Sequence, residues 1–437
     1  MSVRSRWRTG RSPETRATTR VVAALSISAL AEWGGASSVL PLLPVYLRHH
    51  GSSLTLVGFT MAAFFAAAVL VQYPIGRLSD RVGRRTIQVA GLVTYAVASV
   101  LFVFLSAPVA ALVLRALQGA GVGVVDVANS ATLGEIVPEH QRGRAFAALY
   151  GTRTVGMAVG PFVGGLLGLS GMKIIFLGAA VLVLSAAAPI IAFAPRARRY
   201  EHAAQARRSP LWRNRSVLGV GVAFLAGGIV IGMYEVCWSL LLTLRGAAPW
   251  QLGLSWTFFA LPFAIMSLPA GWLVDHMDRR YLVALALVGS AAFAAVYPFI
   301  HSVAWLIGLG IGEAVTVSLG APAESAQLSG SVPSHELGRA QGAVFSAQTA
   351  AVAVSASISG ALFGVHAWLP YVLAAGGVMC CLAVVAVFWR GVPGRGSVVA
   401  AVAGTSLPPQ PAVAPAGAGR AILSEEPAAS SALEHAG

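Results

Sequence analysis

Twelve apolar runs, each long enough to cross a bilayer, constrain this chain more than any other feature. They lie near residues 20–47, 54–76, 86–107, 108–132, 144–168 and 172–194, then near 215–244, 251–274, 281–301, 303–325, 341–364 and 368–389. A membrane helix needs about 20 apolar residues, against about 9–11 for a barrel strand. In lipid only helices and closed barrels satisfy every backbone polar group, so runs of this length predict helices. Only 11% of the 437 residues are charged and 57% are hydrophobic, where a soluble domain carries about 25% charged residues. The expected fold class is therefore an all-α integral membrane protein with twelve transmembrane helices. A soluble enzyme, a secreted disulfide scaffold and a disordered chain are excluded as classes. Cys237, Cys380 and Cys381 all fall in apolar runs and read as small buried hydrophobes.

The net charge of +14 would suggest nucleic acid in a soluble protein. Here the location of the charge matters more. With the N-terminus in the cytoplasm, 25 of the 30 basic residues fall inside and only Arg48, Lys173 and Arg245 outside, while Arg115 and Arg153 lie within spans. That asymmetry follows the positive-inside rule and puts both termini in the cytoplasm, with the plasma (inner) membrane as the expected location and no nucleic-acid partner. Ala29-Leu30-Ala31 resembles a signal-peptide cleavage site, but the apolar stretch continues to Tyr46, which argues against cleavage.

A fixed offset of 195 residues relates the two halves of the chain. Pro74-Ile75-Gly76-Arg77-Leu78-Ser79-Asp80 maps onto Pro269-Ala270-Gly271-Trp272-Leu273-Val274-Asp275, and Arg84-Arg85 onto Arg279-Arg280. Over 138–169 against 333–364, 11 of 32 positions are identical. The expected organisation is a basic tail (1–19), a six-helix half (20–194), a cytoplasmic linker (195–214), a second six-helix half (215–390) and a disordered cytoplasmic tail (391–437). Two pseudo-symmetric halves in the same orientation imply a pseudo-two-fold axis along the membrane normal, an arrangement of transporters that hold their substrate between the halves near mid-membrane.

Local motifs now support a family resemblance. The run Gly76-Arg77-Leu78-Ser79-Asp80-Arg81-Val82-Gly83-Arg84-Arg85 resembles the signature loop between helices 2 and 3 of the major facilitator superfamily. Arg115-Ala116-Leu117-Gln118-Gly119-Ala120-Gly121 resembles its helix 4 motif. Gly156-Met157-Ala158-Val159-Gly160-Pro161-Phe162-Val163-Gly164-Gly165 resembles the helix 5 motif of its antiporters, and Leu40-Pro41-Leu42-Leu43-Pro44 the helix 1 motif of twelve-span drug exporters. One departure is Asp278, where the second copy of the loop would carry glycine. The resemblance spans roughly 20–390 and implies a proton-coupled antiporter.

In that family the helix 2–3 loop is a gate, which here comprises Gly76, Asp80, Arg81, Gly83 and Arg84, with Asp275 in the second copy. Gly76 lets a neighbouring helix come close, and Gly83 permits the tight turn. Asp80 suits a helix N-terminus, which the resemblance identifies as helix 11, starting near Arg339. On helix 5, Gly156, Gly160 and Gly164 lie four residues apart beside Pro161 and Gly165, a bare face for tight packing.

Ionisable groups inside spans are costly and mark ion or substrate paths. Glu32 lies 12 residues after Arg20, about 18 Å along the helix and near mid-membrane. The resemblance makes it a proton or substrate acid and implies that Arg115 assists proton transfer. Asp126 and Arg153, on antiparallel neighbouring helices, sit at matching depths by the same rise per residue, so an ion pair is expected. Glu235 is flanked by Tyr234 and Trp238, and aromatics beside an acid suit an amphipathic, often cationic, substrate. Glu313 is a further intramembrane acid whose facing the sequence leaves open. The expected proton-coupling set is Glu32, Arg115 and Asp126. The expected substrate cavity draws on Glu32, Arg153, Tyr234, Glu235, Trp238 and Glu313.

Three functions compete. Proton-coupled efflux of small, amphipathic or cationic molecules leads. A proton-coupled importer of a sugar or organic acid would more readily show several central Asn and Gln residues, whereas the spans hold mainly Gln72, Gln118, Asn129 and Gln348. An integral-membrane enzyme would need a clustered His, Asp or metal site, and the nine histidines all fall in loops, span ends or the tail. The chain is therefore expected to work as a monomer in the lipid bilayer on a small-molecule substrate and protons, with no metal, no cofactor and no enzymatic step.

Overall fold

Prolines, glycines and capping side chains divide the apolar runs into helices. The computed structural model describes residues 13–105, 107–194 and 211–392, without the side chains of residues 13–17, 73, 76, 77, 80, 139, 140, 267, 268, 334 and 335. Most of the N-terminal tail, most of the 195–214 linker and the tail from 393 onward thus lie outside the described residues. In the first half run α1 (Pro13–Ser38), α2 (Leu43–His49), α3 (Leu54–Val82), α4 (Arg84–Phe104), α5 (Pro108–Ile136), α6 (Glu139–Leu167), α7 (Met172–Ser185) and α8 (Ala187–Phe193). In the second run α9 (Arg215–Leu244), α10 (Pro249–Ile265), α11 (Ser267–His276), α12 (Arg279–Val296), α13 (Val303–Ser329), α14 (Ser334–Val365) and α15 (Leu369–Phe388).

Local chemistry explains many of these boundaries. The first apolar run breaks after Ser38 and resumes as α2 with Pro44 in its first turn, where the missing proline N–H would have no helical partner anyway. Ser53 caps α3 by accepting from the Leu56 N–H at 3.2 Å. Asn214 caps α9 by accepting from Ser216 and Val217 at 3.0 and 3.3 Å. Gly83 turns the chain from α3 into α4 at φ +102°, a conformation that a Cβ would strain. The corresponding Asp278 sits instead at φ −68°, caps α12 through the Arg280 N–H at 2.9 Å and pairs with the Arg280 guanidinium at 2.6 Å. The second copy of the loop replaces a glycine turn with an N-cap.

Among the described residues, nine helical segments are long and apolar enough to cross a membrane, or ten when α10 and α11, bent by 52°, count as one. The first and fifth of the twelve expected places are held by α1–α2 and by α6. Polar residues dilute both: Glu32 and several serines in α1, and Arg142, Arg144 and Arg153 in α6.

The 195-residue offset recurs in the helices. Leu54 and Pro249, Arg84 and Arg279, Pro108 and Val303, and Glu139 and Ser334 are helix starts 195 residues apart. Within the first half α1 packs on α6 and α5 on both α3 and α4; within the second α9 packs on α14 and α15, and α12 on α13. The halves meet along α3 with α14 and along α6 with α10.

Those two meetings are glycine crossings. A methyl group at Gly58 would come within 2.8 Å of the Ala356 carbonyl oxygen, and one at Gly360 would strike the Leu54 carbonyl. A methyl at Gly165 would come within 2.8 Å of the Gly253 Cα, and one at Gly253 would strike the Pro161 carbonyl. Gly58 and Gly253 are 195 residues apart, as are Gly165 and Gly360, so the repeat carries one crossing onto the other. Both lie at the end of the bundle opposite the Gly83 turn. Hydrogen bonds join the halves further along, from Thr257 Oγ1 to the Ala158 carbonyl at 2.6 Å and from Ser346 Oγ to Gln72 Oε1 at 3.3 Å.

Candidate functional site

Helical spacing builds two polar clusters, one in each half. In the first half, α5 brings Asp126 to within 3.4 Å of Arg153 on α6. The Arg153 guanidinium also lies 3.7 Å from the centre of the Trp33 ring on α1. Both charged side chains keep about a third of their surface exposed, 30% for Arg153 and 33% for Asp126, so the pair borders open space. Glu32, beside Trp33 in the chain, is 1% exposed. Neither of its carboxyl oxygens has a hydrogen-bond partner, and Asp126 and Arg153 are the charged groups that act on it.

Arg115 on α5 is fully buried. Its Nη1 donates to Gln118 Oε1 at 3.0 Å, and Gln118 Nε2 donates on to Ser99 Oγ at 2.8 Å. The guanidinium lies 4.3 Å from the centre of the Phe64 ring, while Nε and Nη2 have no hydrogen-bond partner. Its electrostatic partners are Tyr95 and, from the second half, Glu235. Glu235 is 7% exposed, and its Oε2 has no partner.

The second cluster surrounds Glu313 on α13. Tyr234 Oη, on α9, lies 3.0 Å from both carboxyl oxygens, so its single O–H is shared between them. Ser290 on α12 adds a bond to Oε1 at 3.1 Å, and Tyr297, in the short turn that follows α12, one to Oε2 at 2.8 Å. Beside this acid lies a small cavity lined by Tyr234, Trp238, Trp256, Phe259, Tyr297, Gly310 and Glu313. The spacing places them: 234 and 238, 256 and 259, and 310 and 313 are i,i+4 or i,i+3 neighbours on one face of α9, α10 and α13. The rings pack edge to face, with Trp238 and Tyr297 centroids 5.0 Å apart and Tyr234 and Trp238 5.8 Å apart.

Of the residues expected around a substrate cavity, Tyr234, Trp238 and Glu313 come together here. Glu32 and Arg153 sit in the other half, and Glu235, one position on from Tyr234, does not line this cavity. Ser290, Tyr297, Trp256 and Phe259 were not singled out by the sequence. A serine and scattered aromatics in apolar runs carry no signal until α10, α12 and α13 are placed around α9.

The gate residues divide. The side chains of Gly76 and Asp80 lie outside the described residues. Arg84 pairs with Glu135 at the end of α5, Arg81 is exposed, and Asp275 is exposed near the end of α11. On α6, Gly156, Gly160 and Gly164 abut the α1 backbone around Leu30–Ser38, while Gly165 abuts α10.

Comparison with known proteins agrees with this architecture. The model of the Major Facilitator Superfamily matches residues 25–246 and 223–430. The MFS-type transporter YttB of Bacillus subtilis is 36% identical over 152 residues, covering 34% of this chain and 38% of that protein. The quinolone resistance protein NorA of Staphylococcus aureus is 28% identical over 131 residues, covering 30% of this chain and 34% of NorA. The chain thus spans about a third of the length of these curated relatives. A solved bacterial homologue of the human lysosomal transporter Spinster, inward-facing and occupied, superposes with a TM-score of 0.71 at 14% identity, covering 87% of this chain and 98% of its own. A mutant of the nucleoside transporter NupG superposes with a TM-score of 0.70 at 12% identity, covering 84% and 100%. At these identities the solved structures speak to the fold alone.

Proposed function

The chain belongs to the Major Facilitator Superfamily, and we propose that it is a secondary active transporter that exports small amphipathic molecules in exchange for protons. The observation that carries this reading is Glu32, buried at mid-helix with both carboxyl oxygens unpartnered beside the Asp126–Arg153 pair. Ionised, Glu32 competes with Asp126 for the Arg153 guanidinium; protonated, it leaves Arg153 to Asp126. Proton uptake and release would therefore change the partner of a cation that borders open space and stacks on Trp33. Arg115 is suited to a similar role, because it is fully buried with Nε and Nη2 unpartnered.

Alternating access supplies the coupling. The halves are joined at the end of the bundle opposite the arginine-rich turn at Gly83. With that basic end in the cytoplasm, the glycine crossings lie on the outer side of the bundle. Each proton moving inward across 100 mV yields about 2.3 kcal/mol, which supports roughly 50-fold accumulation per proton exchanged. The name of the Staphylococcus aureus relative, a quinolone resistance protein, favours export over import.

The test uses cells expressing the full chain and two dyes, cationic ethidium and uncharged Nile red. Efflux of at least one dye should fall about tenfold with an uncoupler and by a similar factor in Glu32→Gln. Efflux that survives both treatments would overturn proton antiport through Glu32.

A further inference from the structure

The basic end of the second half gathers three arginines where two helices meet. Arg215 opens α9, Arg213 stands in the short turn Leu211–Arg213 before it, and Arg390 follows the end of α15. Trp389 brings them together. Its Nε1 donates to the Ser216 carbonyl at 3.2 Å, and a methyl group at Gly219 would strike its indole, so the start of α9 and the end of α15 lie side by side. Arg213, Arg215 and Arg390 are all exposed. Among the described residues no acid pairs with any of the three. Arg280, tied to the same chain end through the Val392 carbonyl at 2.9 Å, is by contrast paired with Asp278 at 2.6 Å.

Below the arginines the seam between these helices is apolar. A methyl group at Gly377 of α15 would lie 3.6 Å from Ile229 Cδ1 of α9. The helices therefore run antiparallel from Ser216 and Trp389 to Ile229 and Gly377, about 20 Å by helix rise. One hydrocarbon leaflet is about 15 Å deep. Leu225, a turn before Ile229, and Val384, two turns after Gly377, share the faces of those residues and are 37% and 43% exposed. Trp212, beside Arg213, is 74% exposed, and tryptophan is a residue of the membrane–water interface.

Membrane orientation asks for positive charge at this end, not for its concentration at one seam. The repeat shows the difference. Arg20 is the counterpart of Arg215, 195 positions earlier, but Trp212, Arg213 and Arg390 have Ala17, Thr18 and Pro195 as theirs. We propose that the α9–α15 seam is a binding site for one anionic phospholipid of the phosphatidylglycerol class. Its phosphate is held by Arg215 and Arg390 with Arg213 beside them, and an acyl chain lies along Leu225 and Val384. Guanidinium forks match phosphate oxygens in pairs, and the apolar seam below them suits a lipid rather than free phosphate. The site needs the basic end to face the negative cytoplasmic leaflet and does not depend on proton antiport.

The test is native mass spectrometry of the purified full chain in detergent, titrated with dioleoyl phosphatidylglycerol or dioleoyl phosphatidylcholine. One variant combines Arg213→Gln, Arg215→Gln and Arg390→Gln. A second combines Arg20→Gln, Arg85→Gln and Arg144→Gln, which removes the same charge from the first half. The wild type should bind its first phosphatidylglycerol about tenfold or more tighter than phosphatidylcholine, since each arginine near an anionic lipid is worth about fivefold. The seam variant should lose that preference, while the first-half variant stays within about twofold of wild type. Arg390→Gln alone, beyond the end of α15, should weaken phosphatidylglycerol about fivefold and carries the test if size-exclusion chromatography shows the triple variant unfolded. Equal affinity for the two lipids, equal losses in the two triple variants, an unchanged Arg390→Gln, or displacement of phosphatidylglycerol by millimolar inorganic phosphate would each overturn the proposal.

Discussion

Glu313 accepts from three hydroxyls, those of Tyr234, Ser290 and Tyr297, and Glu32 from none, although both are 1% exposed. The difference separates a carboxyl fixed by its neighbours from one whose bonding is incomplete. Removing one donor from Glu313 tests the first kind. Tyr297→Phe should lower unfolding stability by about 1–2 kcal/mol, between the worth of a bond to a charged group in water and the smaller values found in membranes, and the change would appear in thermal or detergent unfolding. Arg153 tests the second. Arg153→Lys keeps the charge but loses the planar stack on Trp33, so efflux should fall about fivefold while Asp126 retains a cationic partner. Unchanged efflux in Arg153→Lys would mean that charge alone matters there. The intramembrane charges were legible as candidates because so few exist. Their partners were legible only for Asp126 and Arg153, where helix rise fixed a common depth; nothing in the chain announces Ser290 or Tyr297 as partners of Glu313.

At the scale of elements, the two glycine crossings hold the halves together at one end. Gly58 meets α14, Gly360 meets α3, and the pair Gly165 and Gly253 repeats the contact between α6 and α10. A valine at Gly360 cannot be accommodated by a side-chain rotation, because the atom it strikes is the Leu54 carbonyl. Spin labels at Ser53 and His366, in the loops beside this crossing, should therefore move apart by about 3 Å or more in Gly360→Val, on the order of the steric overlap introduced. Gly178→Val, where nothing lies within 4 Å, should leave the distance unchanged. An unchanged distance in Gly360→Val would show that the crossing does not hold that end closed. The helix 5 glycines were visible as a bare face, yet which helix covered it was not. Three of them turn to α1 within their own half, and only Gly165 reaches across to the other.

For the whole molecule, the even number of expected spans and the collar of basic residues make a topology prediction. A fluorescent protein fused after Arg390 should fluoresce, and alkaline phosphatase fused there should be inactive, since both termini are expected in the cytoplasm. The reverse pattern would invert the membrane orientation and, with it, the side on which the glycine crossings lie. The sequence by itself determined the helical membrane class, the 195-residue repeat and the short list of intramembrane charges. These follow from composition and spacing, because lipid forces every backbone group into local hydrogen bonds. Only the tertiary structure decided that Glu313 rather than Glu235 borders the aromatic cavity, and that the halves touch through Gly58–Gly360 and Gly165–Gly253. Each of those depends on the rotation of one helix against another, set by packing between residues on different helices, and helical periodicity gives a residue's own face but not the neighbour that face will meet.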